Sequence, residues 1–247
     1  MKLGIYHWTF NNRSAVDASI ASFRKFYPDA PYFLACDGGA DHVDICKKYN
    51  VEYFHSTSNL GYPAPIVGYN KNQIYEFCRR IYLACVVLDC THLVISEDDV
   101  HCLSQIEFNE DCEFQGYGLP LISPNAMSKE LLEHCEKISG VKPNCTFYGV
   151  GAGSILNTAT YIKYFTTFAK FLQNDFDRIH SNYPQLGWND CFLHTFYMLA
   201  GKPYTMSEKM YNNHPENTEI DLVELGKNYH TIHYYKNFYE SRLNAKR

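Results

Sequence analysis

The sequence has no dense cluster of basic residues. Lys and Arg number 22 against 27 Asp and Glu, a formal charge of −5, and the densest basic runs are the dipeptides Lys47-Lys48 and Arg79-Arg80. A protein that displaces counterions from a nucleic-acid backbone needs a basic stripe or patch. We therefore expect no nucleic-acid partner for this chain.

Long apolar runs are missing as well. No stretch approaches the ~20 consecutive apolar residues of a membrane-spanning helix, so we expect no transmembrane segment. The first eight residues become polar too early for a secretory signal peptide. No internal repeat or low-complexity linker divides the chain. These absences predict a cytoplasmic protein that forms one domain.

The cysteines lack the spacing of metal or redox motifs. None of the ten cysteines belongs to a CxxC pair, which argues against a zinc ribbon and a redox motif. Cys36 follows the apolar run Phe33-Leu34-Ala35, where a free thiol behaves as a small hydrophobic group, and we expect reduced thiols. Asn12-Arg13-Ser14 and Asn144-Cys145-Thr146 match the glycosylation acceptor triplet. Without an export signal, we interpret both as chance matches.

Apolar and aromatic side chains are plentiful. Hydrophobic residues make up 46% and charged residues 20% of the sequence, which is typical of a globular protein rather than a disordered one. Aromatic residues reach 16%, with 21 Tyr. This content predicts a large core and a site that stacks on, or hydrogen-bonds to, flat polar ligands.

Strand and helix patterns alternate over the first hundred residues, which is typical of βαβ units and a mainly parallel sheet. Ser14 is the predicted N-cap of the first helix, in which Val16, Ile20 and Phe23 share one face and which ends before Tyr27. The other predicted elements are strands over residues 3–7, 32–36, 51–54 and 92–96, a helix over 43–49, and a long helix with an apolar stripe at Ile74, Cys78, Ile81, Cys85 and Leu88.

The alternation is looser after residue 100. We predict a strand over 119–122, a Gly-punctuated strand pair over 147–156, and helices over 127–138, 159–172 and 188–200. The tail from Tyr204 onward is polar. The whole pattern predicts an α/β fold in one domain, with a mixed, mainly parallel sheet flanked by helices.

Three consecutive carboxylates, Glu97-Asp98-Asp99, follow the apolar run Leu93-Val94-Ile95. Like charges at a strand end repel one another, so a nearby positive charge is expected. Ligands of open α/β sheets gather at the carboxyl ends of strands, where a divalent cation bridging two phosphates would supply that charge. Hard oxygen ligands favour Mn2+ or Mg2+. A solvated acidic turn is the alternative.

Four short motifs occur in a characteristic order. They are Asn12-Arg13 after the first strand, residues 22–28 (Ser-Phe-Arg-Lys-Phe-Tyr-Pro) at the first helix, Asp37 closing the second strand, and residues 95–100 (Ile-Ser-Glu-Asp-Asp-Val). This order resembles small GT-A nucleotide-sugar glycosyltransferases, including enzymes of large DNA viruses and of bacterial surface-polysaccharide synthesis. The acidic triplet resembles their DxD signature. The resemblance covers roughly residues 1 to 200.

The resemblance implies a GT-A-like, Rossmann-like domain over residues 1–247. Its nucleotide-binding half would span residues 1–100, and residues 101–247 would form the acceptor-binding half and the C-terminal tail. If the protein is viral, its location would be the host cytoplasm. The implied cofactor is Mn2+ or Mg2+, and the implied donor is a UDP- or GDP-sugar.

The resemblance also assigns roles within the acidic triplet. Asp99 would bind the metal directly. Glu97 would reach the metal through water or hold the donor ribose, and Asp98 would contact the donor sugar. Among the C-terminal histidines 214, 230 and 233, His233 is the one that we expect to add a nitrogen ligand. A solvent-exposed tail histidine is the alternative for that residue.

The nucleotide would be bordered by the loop from Thr9 to Arg13. Asp37 would accept a hydrogen bond from the base, and Asn72 resembles the Asn of the family's Arg-Asn element. For Arg13, an ordinary surface side chain stays open. For Asp37, a turn-forming role before Gly38-Gly39 stays open.

Two segments of the second half complete the implied site. Gly151, within the small-residue run 149–154, would line the donor sugar, and a tight hairpin without a ligand role is the alternative. Trp188 would stack on a sugar ring. Asp190 would act as the general base of an inverting transferase by taking the proton of the acceptor hydroxyl. An Asp that caps the helix N-terminus is the alternative for Asp190.

We therefore expect a metal-dependent glycosyltransferase that acts on a hydroxyl of a glycan or glycoprotein. A sugar nucleotidyltransferase is one alternative, although the usual Gly-rich loop is missing because residues 7–13 contain no glycine. A non-catalytic carbohydrate-binding module, with the acidic triplet holding structural Ca2+, is the other.

Overall fold

The computed structural model describes residues 2–57, 60, 68–116, 119–120, 128–143, 147–148, 153–211 and 221–233. Within these ranges the strands are β1 (Leu3–Thr9), β2 (Tyr32–Cys36), β3 (Glu52–His55), β4 (His92–Glu97), β5 (Val100–Cys102), β6 (Phe114–Gly116), β7 (Leu119–Pro120), β8 (Phe147–Tyr148), β9 (Ile155–Asn157), β10 (Thr205–Met206), β11 (Met210–Tyr211) and β12 (Thr231–His233). The α-helices are α1 (Arg13–Phe26), α2 (Val43–Tyr49), α3 (Lys71–Val87), α4 (Lys129–Ser139), α5 (Thr158–Asn174), α6 (Phe176–Asn182), α7 (Asn189–Leu199) and α8 (Leu222–Leu225), and residues Pro184–Gly187 form a 3-10 helix.

A seven-stranded sheet in the order β10-β6-β9-β4-β1-β2-β3 organises the domain. β4, β1, β2 and β3 are mutually parallel, whereas β9 runs antiparallel to both of its neighbours. The sheet is therefore mixed and mainly parallel and is flanked by helices, as the sequence predicts. The strands at its centre are mostly buried because helices cover both faces.

Alternate residues of the central strands face two separate cores. Tyr6 and Ile95 pack with α3, α5 and α7 on one face. Ile5 and Val94 pack with α1 and α2 on the other face. This period of two places the side chains at positions 6, 8, 95 and 97 on the same side of the sheet.

The predicted elements of the first hundred residues are confirmed, with one correction at α1. This helix begins at Arg13 and its N-cap is Asn12, whose Oδ1 accepts from the backbone N–H of Ala15 at 3.1 Å. Ser14 is therefore inside the first turn, because Asn12 offers an equally good capping oxygen two residues earlier. The apolar stripe predicted for the long helix is buried along α3.

The second half departs from the predicted pattern at the Gly-punctuated segment. β8 and β9 do not pair with each other: β8 pairs with β7, and β9 enters the central sheet between β4 and β6. The strand-pair prediction is thus wrong, because both strands find partners distant in sequence. The helices predicted over 127–138, 159–172 and 188–200 correspond to α4, α5 and α7.

A small second sheet, β11-β12-β5, lies beside the central one. β5 begins three residues after β4 ends, and β12 pairs with it in an antiparallel register. The C-terminal part of the described chain is thereby brought back to the acidic triplet. All nine described cysteines are free thiols, as expected. Among the described residues, no helix has the length and apolar character to cross a membrane.

Candidate active site

The carboxyl ends of β1, β2 and β4 meet at one edge of the sheet. Thr9 is paired in register with Cys36, and Trp8 is paired with Glu97. The backbone N–H of Asp37 donates to the carbonyl oxygen of Thr9 at 2.9 Å. The structure therefore brings Thr9, Asp37 and the acidic triplet together, and this edge is where open α/β sheets bind ligands.

The acidic triplet consists of Glu97, the last residue of β4, and of Asp98 and Asp99, which form the turn to β5. Asp98 is 1% and Asp99 7% exposed. The hydroxyl of Thr9 donates to Oδ2 of Asp98 at 3.5 Å, and the hydroxyl of Ser19 donates to the carbonyl oxygen of Glu97 at 3.3 Å. A solvated acidic turn does not describe this geometry, because two of the three carboxylates are withdrawn from solvent.

His233 lies next to the triplet in the fold. It is the last residue of β12, and its backbone is paired with Val100, the residue directly after Asp99. Two residues earlier in the same strand, Thr231 abuts Gly153: the latter has φ of +99°, and a Cβ there would lie 2.6 Å from the hydroxyl oxygen of Thr231. The side chain of His233 lies outside the described residues, so its role as a ligand stays a prediction.

The donor chemistry of the triplet suits a hard divalent cation. Adjacent buried carboxylates repel each other, and oxygen donors of this kind favour Mg2+ or Mn2+. In the part of the chain that the structure describes, no group of three or more His, Cys, Asp or Glu side chains could hold a metal ion. Asp98 and Asp99 therefore supply suitable oxygens, and a complete ligand set needs further donors.

Asp37 is engaged by a buried cation that the sequence analysis missed. Nη1 of Arg80 donates to Oδ1 of Asp37 at 2.6 Å, and the two side chains are 1% and 3% exposed. Nη2 of Arg80 donates to the hydroxyl of Ser56 at 3.0 Å. A charged residue on a helix face otherwise formed by residues such as Phe77 and Ala84 is the signal that points to this pair.

Arg13 lies on the protein surface. Nη2 donates to both carboxylate oxygens of Asp44, at 2.7 and 2.6 Å, and Nη1 donates to the carbonyl oxygen of Asp41. This arrangement ties the start of α1 to the start of α2. The predicted contact of Arg13 with phosphate stays a prediction.

Asn72 lies in the first turn of α3 and is exposed. The N-cap Asn70 accepts from the backbone N–H groups of Asn72 and Gln73, and the Gln73 side chain accepts from the backbone N–H of Asn70. This capping box fixes where the helix begins. Because α3 connects two parallel strands, its first turn lies at the carboxyl edge of the sheet.

Trp188 occupies the N-cap position of α7, directly after the 3-10 helix. Its indole N–H is buried and has no hydrogen-bond partner among the described residues. Asn189 and Asp190 are the first two residues of the helix, so Asp190 is not the capping residue. The side chain of Asp190 and the whole of Gly151 lie outside the described residues, and their predicted roles stay predictions.

Trp8, the only other tryptophan of the chain, is a second site residue that the sequence analysis missed. Its ring packs edge-on against Phe77 of α3 at 5.3 Å, and Phe77 packs against Phe192 of α7 at 5.4 Å. The indole N–H of Trp8 is also buried without a hydrogen-bond partner in the described ranges. This aromatic row connects the strand beside Glu97 to the start of α7. A tryptophan directly after the strand predicted over residues 3–7 is the available signal.

Comparison with known proteins gives similarity at the level of structure alone. No family model matches the sequence, and no curated protein matches it. The chain is similar to the galactosyltransferase LgtC, solved with donor and acceptor sugar analogues, with a TM-score of 0.50 and 10% identity over 93% of this chain and 86% of that one. It is also similar to mouse xyloside xylosyltransferase 1 in its apo form, with a TM-score of 0.54 and 8% identity over 96% of this chain and 99% of that one. The chain has the GT-A fold of these two glycosyltransferases.

Proposed function

We propose that this protein is a glycosyltransferase that moves a sugar from a nucleoside-diphosphate sugar to a hydroxyl of a glycan or glycoprotein. The observation that carries the proposal is the position of the buried carboxylates Asp98 and Asp99. They follow the central strand β4 at the carboxyl edge of a sheet that has the fold of two glycosyltransferases. A catalytic site in such a fold is expected at this edge.

The first half of the site would bind the donor. Asp99 and Glu97 would hold Mn2+ or Mg2+, with His233 as a further ligand supplied by β12. The cation, when bound, offsets the negative charge of the departing diphosphate. Asp98, oriented by the Thr9 hydroxyl, would contact the donor sugar.

The wall for the nucleoside would be formed by residues after β1 and β2 and at the start of α3. Thr9 contacts Asp98 of the acidic triplet, whereas Arg13 lies further out beside Asp44. Asp37 would face the base, and Asn72 would approach the donor from the first turn of α3. The nucleotide of the donor would be UDP or GDP.

The second half of the site would bind the acceptor. Trp188 would stack on a sugar ring, and Gly151 would let the hexose approach the backbone. In an inverting reaction, the acceptor oxygen bonds to the anomeric carbon as the bond from that carbon to the diphosphate breaks. Asp190 would take the proton of the acceptor hydroxyl, and its place in the first turn of α7 is beside Trp188.

Titration calorimetry with UDP and GDP, each with and without Mn2+, tests the proposal. We expect one of the two to bind in a Mn2+-dependent manner, and we expect UMP and GMP, which lack the second phosphate, to bind more weakly. A nucleotide-sugar panel scored for hydrolysis then identifies the donor. A protein that binds neither diphosphate but does bind glycans would instead be a carbohydrate-binding module, and the proposal would be wrong.

A further inference from the structure

Arg80 is the largest fully buried side chain among the described residues. It lies on α3, between the helix and the sheet, and its two terminal nitrogens donate to Asp37 after β2 and to Ser56 after β3. The backbone N–H of Ser56 in turn donates to the carbonyl oxygen of Cys36 at 2.9 Å. One guanidinium thus joins the carboxyl ends of two neighbouring strands.

The Asp37 carboxylate extends this network to the start of α3. Its Oδ2 accepts from the backbone N–H of Leu60 at 3.1 Å. The carbonyl oxygen of Leu60 accepts from the side chain of Gln73, which also closes the capping box with Asn70. Leu60 is therefore held through both of its backbone groups, and Asp37 couples it to Arg80.

The network adjoins the acidic triplet through Thr9. The carbonyl oxygen of Thr9 accepts from the backbone N–H of Asp37, and the Thr9 hydroxyl donates to Asp98. A small displacement of Asp37 would therefore move Thr9, which contacts the triplet. The triplet itself lies at the end of a different strand, β4.

A buried ion pair is a poor device for stability alone. The cost of desolvating two charges offsets much of their attraction, and apolar residues of similar volume stabilise a core at least as well. Here Nε of Arg80 is also buried without a hydrogen-bond partner among the described residues, which adds to the cost. The planar guanidinium does provide two donors in a fixed geometry, which a lysine cannot reproduce.

We propose that Arg80 is a positioning residue that fixes Asp37, Ser56 and Leu60 as the wall against which the nucleoside of the donor packs. This inference rests on the proposed function. It predicts that Arg80 governs affinity for the nucleoside part of the ligand and leaves the diphosphate part, held at the triplet, unaffected.

Two ligands separate these contributions: Mn2+ with UDP or GDP, whichever the wild-type protein binds, and Mn2+ with inorganic pyrophosphate. Arg80→Lys keeps a positive charge beside Asp37 but loses the two fixed donors of the guanidinium. Arg80→Met removes both the charge and the donors. The matched control is Arg79→Met, because Arg79 pairs with Glu76 of the same helix, near the surface. We expect Arg80→Lys to fold and to bind the nucleoside diphosphate about tenfold more weakly, with pyrophosphate affinity unchanged.

The outcomes are distinct. Wild-type affinity of Arg80→Lys for both ligands, a parallel loss of both, or failure of that variant to fold would assign Arg80 to fold stability alone and overturn the inference. A wild-type protein that binds neither UDP nor GDP would overturn the proposed function and this inference with it. A selective loss of nucleoside diphosphate in Arg80→Lys, absent from Arg79→Met, supports the inference.

Discussion

The backbone N–H of Tyr69 donates to the carbonyl oxygen of Gly187 at 2.7 Å, and this bond joins the entry of α3 to the entry of α7. The Tyr69 ring also packs against Phe192 at 6.3 Å. Asn72 and Trp188, which the sequence places 116 positions apart, thus belong to neighbouring helix starts. The donor and acceptor halves of the proposed site depend on this junction.

Gly68 makes the junction possible. Its φ is +68°, and a Cβ at this position would lie 2.6 Å from the carbonyl carbon of Gly187. We expect Gly68→Ala to destabilise the protein and to lower transfer, because the two helix starts must separate. Urea unfolding and a transfer assay measure the two effects.

Gly140 is the matched control for this substitution. Its φ is +72°, and a Cβ there would meet nothing within 4 Å. Gly140→Ala should therefore cost only the strain of a left-handed residue, about 1 kcal/mol, with unchanged transfer. Equal effects of the two substitutions would contradict the role that we give to the junction.

The sequence was sufficient to predict the elements of the first hundred residues because their information is local. Apolar periodicity, capping residues and turn chemistry lie within each element. The pairing of β9 between β4 and β6, and the return of β12 to β5, depend on contacts between distant segments. Those pairings carry no local signal, and the strand-pair prediction for residues 147–156 failed for this reason.

The residues of the candidate site also fall into two groups: those that local sequence predicts and those that only the fold reveals. The acidic triplet was predictable because an apolar strand that ends in three carboxylates is chemically unusual. The role of Arg80 was not predictable, because its partner Asp37 lies 43 residues earlier and only the fold brings the two side chains together. Trp8 lies just beyond the strand predicted over residues 3–7, and only the fold pairs it with Glu97.

Asp99 should be essential for metal-dependent donor turnover. We expect Asp99→Ala to abolish Mn2+-dependent turnover of the nucleotide sugar while the circular dichroism spectrum stays that of the wild type. The matched control is Asp89→Ala, whose side chain is 99% exposed and pairs with Lys2 at the surface. Full turnover by Asp99→Ala would remove this residue from the mechanism.

His194 should make the protein sensitive to acid. It is 3% exposed, and burial lowers its pKa from 6.5 to about 4. Since the unfolded chain binds the proton first, this residue's contribution to stability is present above pH 6.5 and is lost as the pH falls towards 4. By pH 5 the loss is roughly 2 kcal/mol.

Replacing the imidazole with a ring that does not titrate tests this expectation. His194→Phe keeps an aromatic ring next to Tyr204, which lies 5.3 Å away, and should lose less stability than the wild type between pH 7 and pH 5. Some acid sensitivity should persist in this variant, because burial also lowers the pKa of His101 to about 4. Parallel stability curves for wild type and His194→Phe would show that His194 does not titrate as expected.

Asp190 is the proposed general base, and its position within α7 gives a way to separate that role from helix stabilisation. A carboxylate in the first turn of a helix stabilises it by about 0.3–1 kcal/mol through the helix dipole. Glu130, in the first turn of α4, offers the same electrostatic effect and pairs with Arg178 of α6. We therefore expect Asp190→Asn and Glu130→Gln to lose similar, small amounts of stability.

Asp190→Asn alone should lose sugar transfer, while it still binds the nucleoside diphosphate with Mn2+ by calorimetry, because Asn cannot accept the acceptor proton. Unchanged transfer in Asp190→Asn would exclude this residue as the base, and an equal loss of transfer in Glu130→Gln would point to helix stability instead.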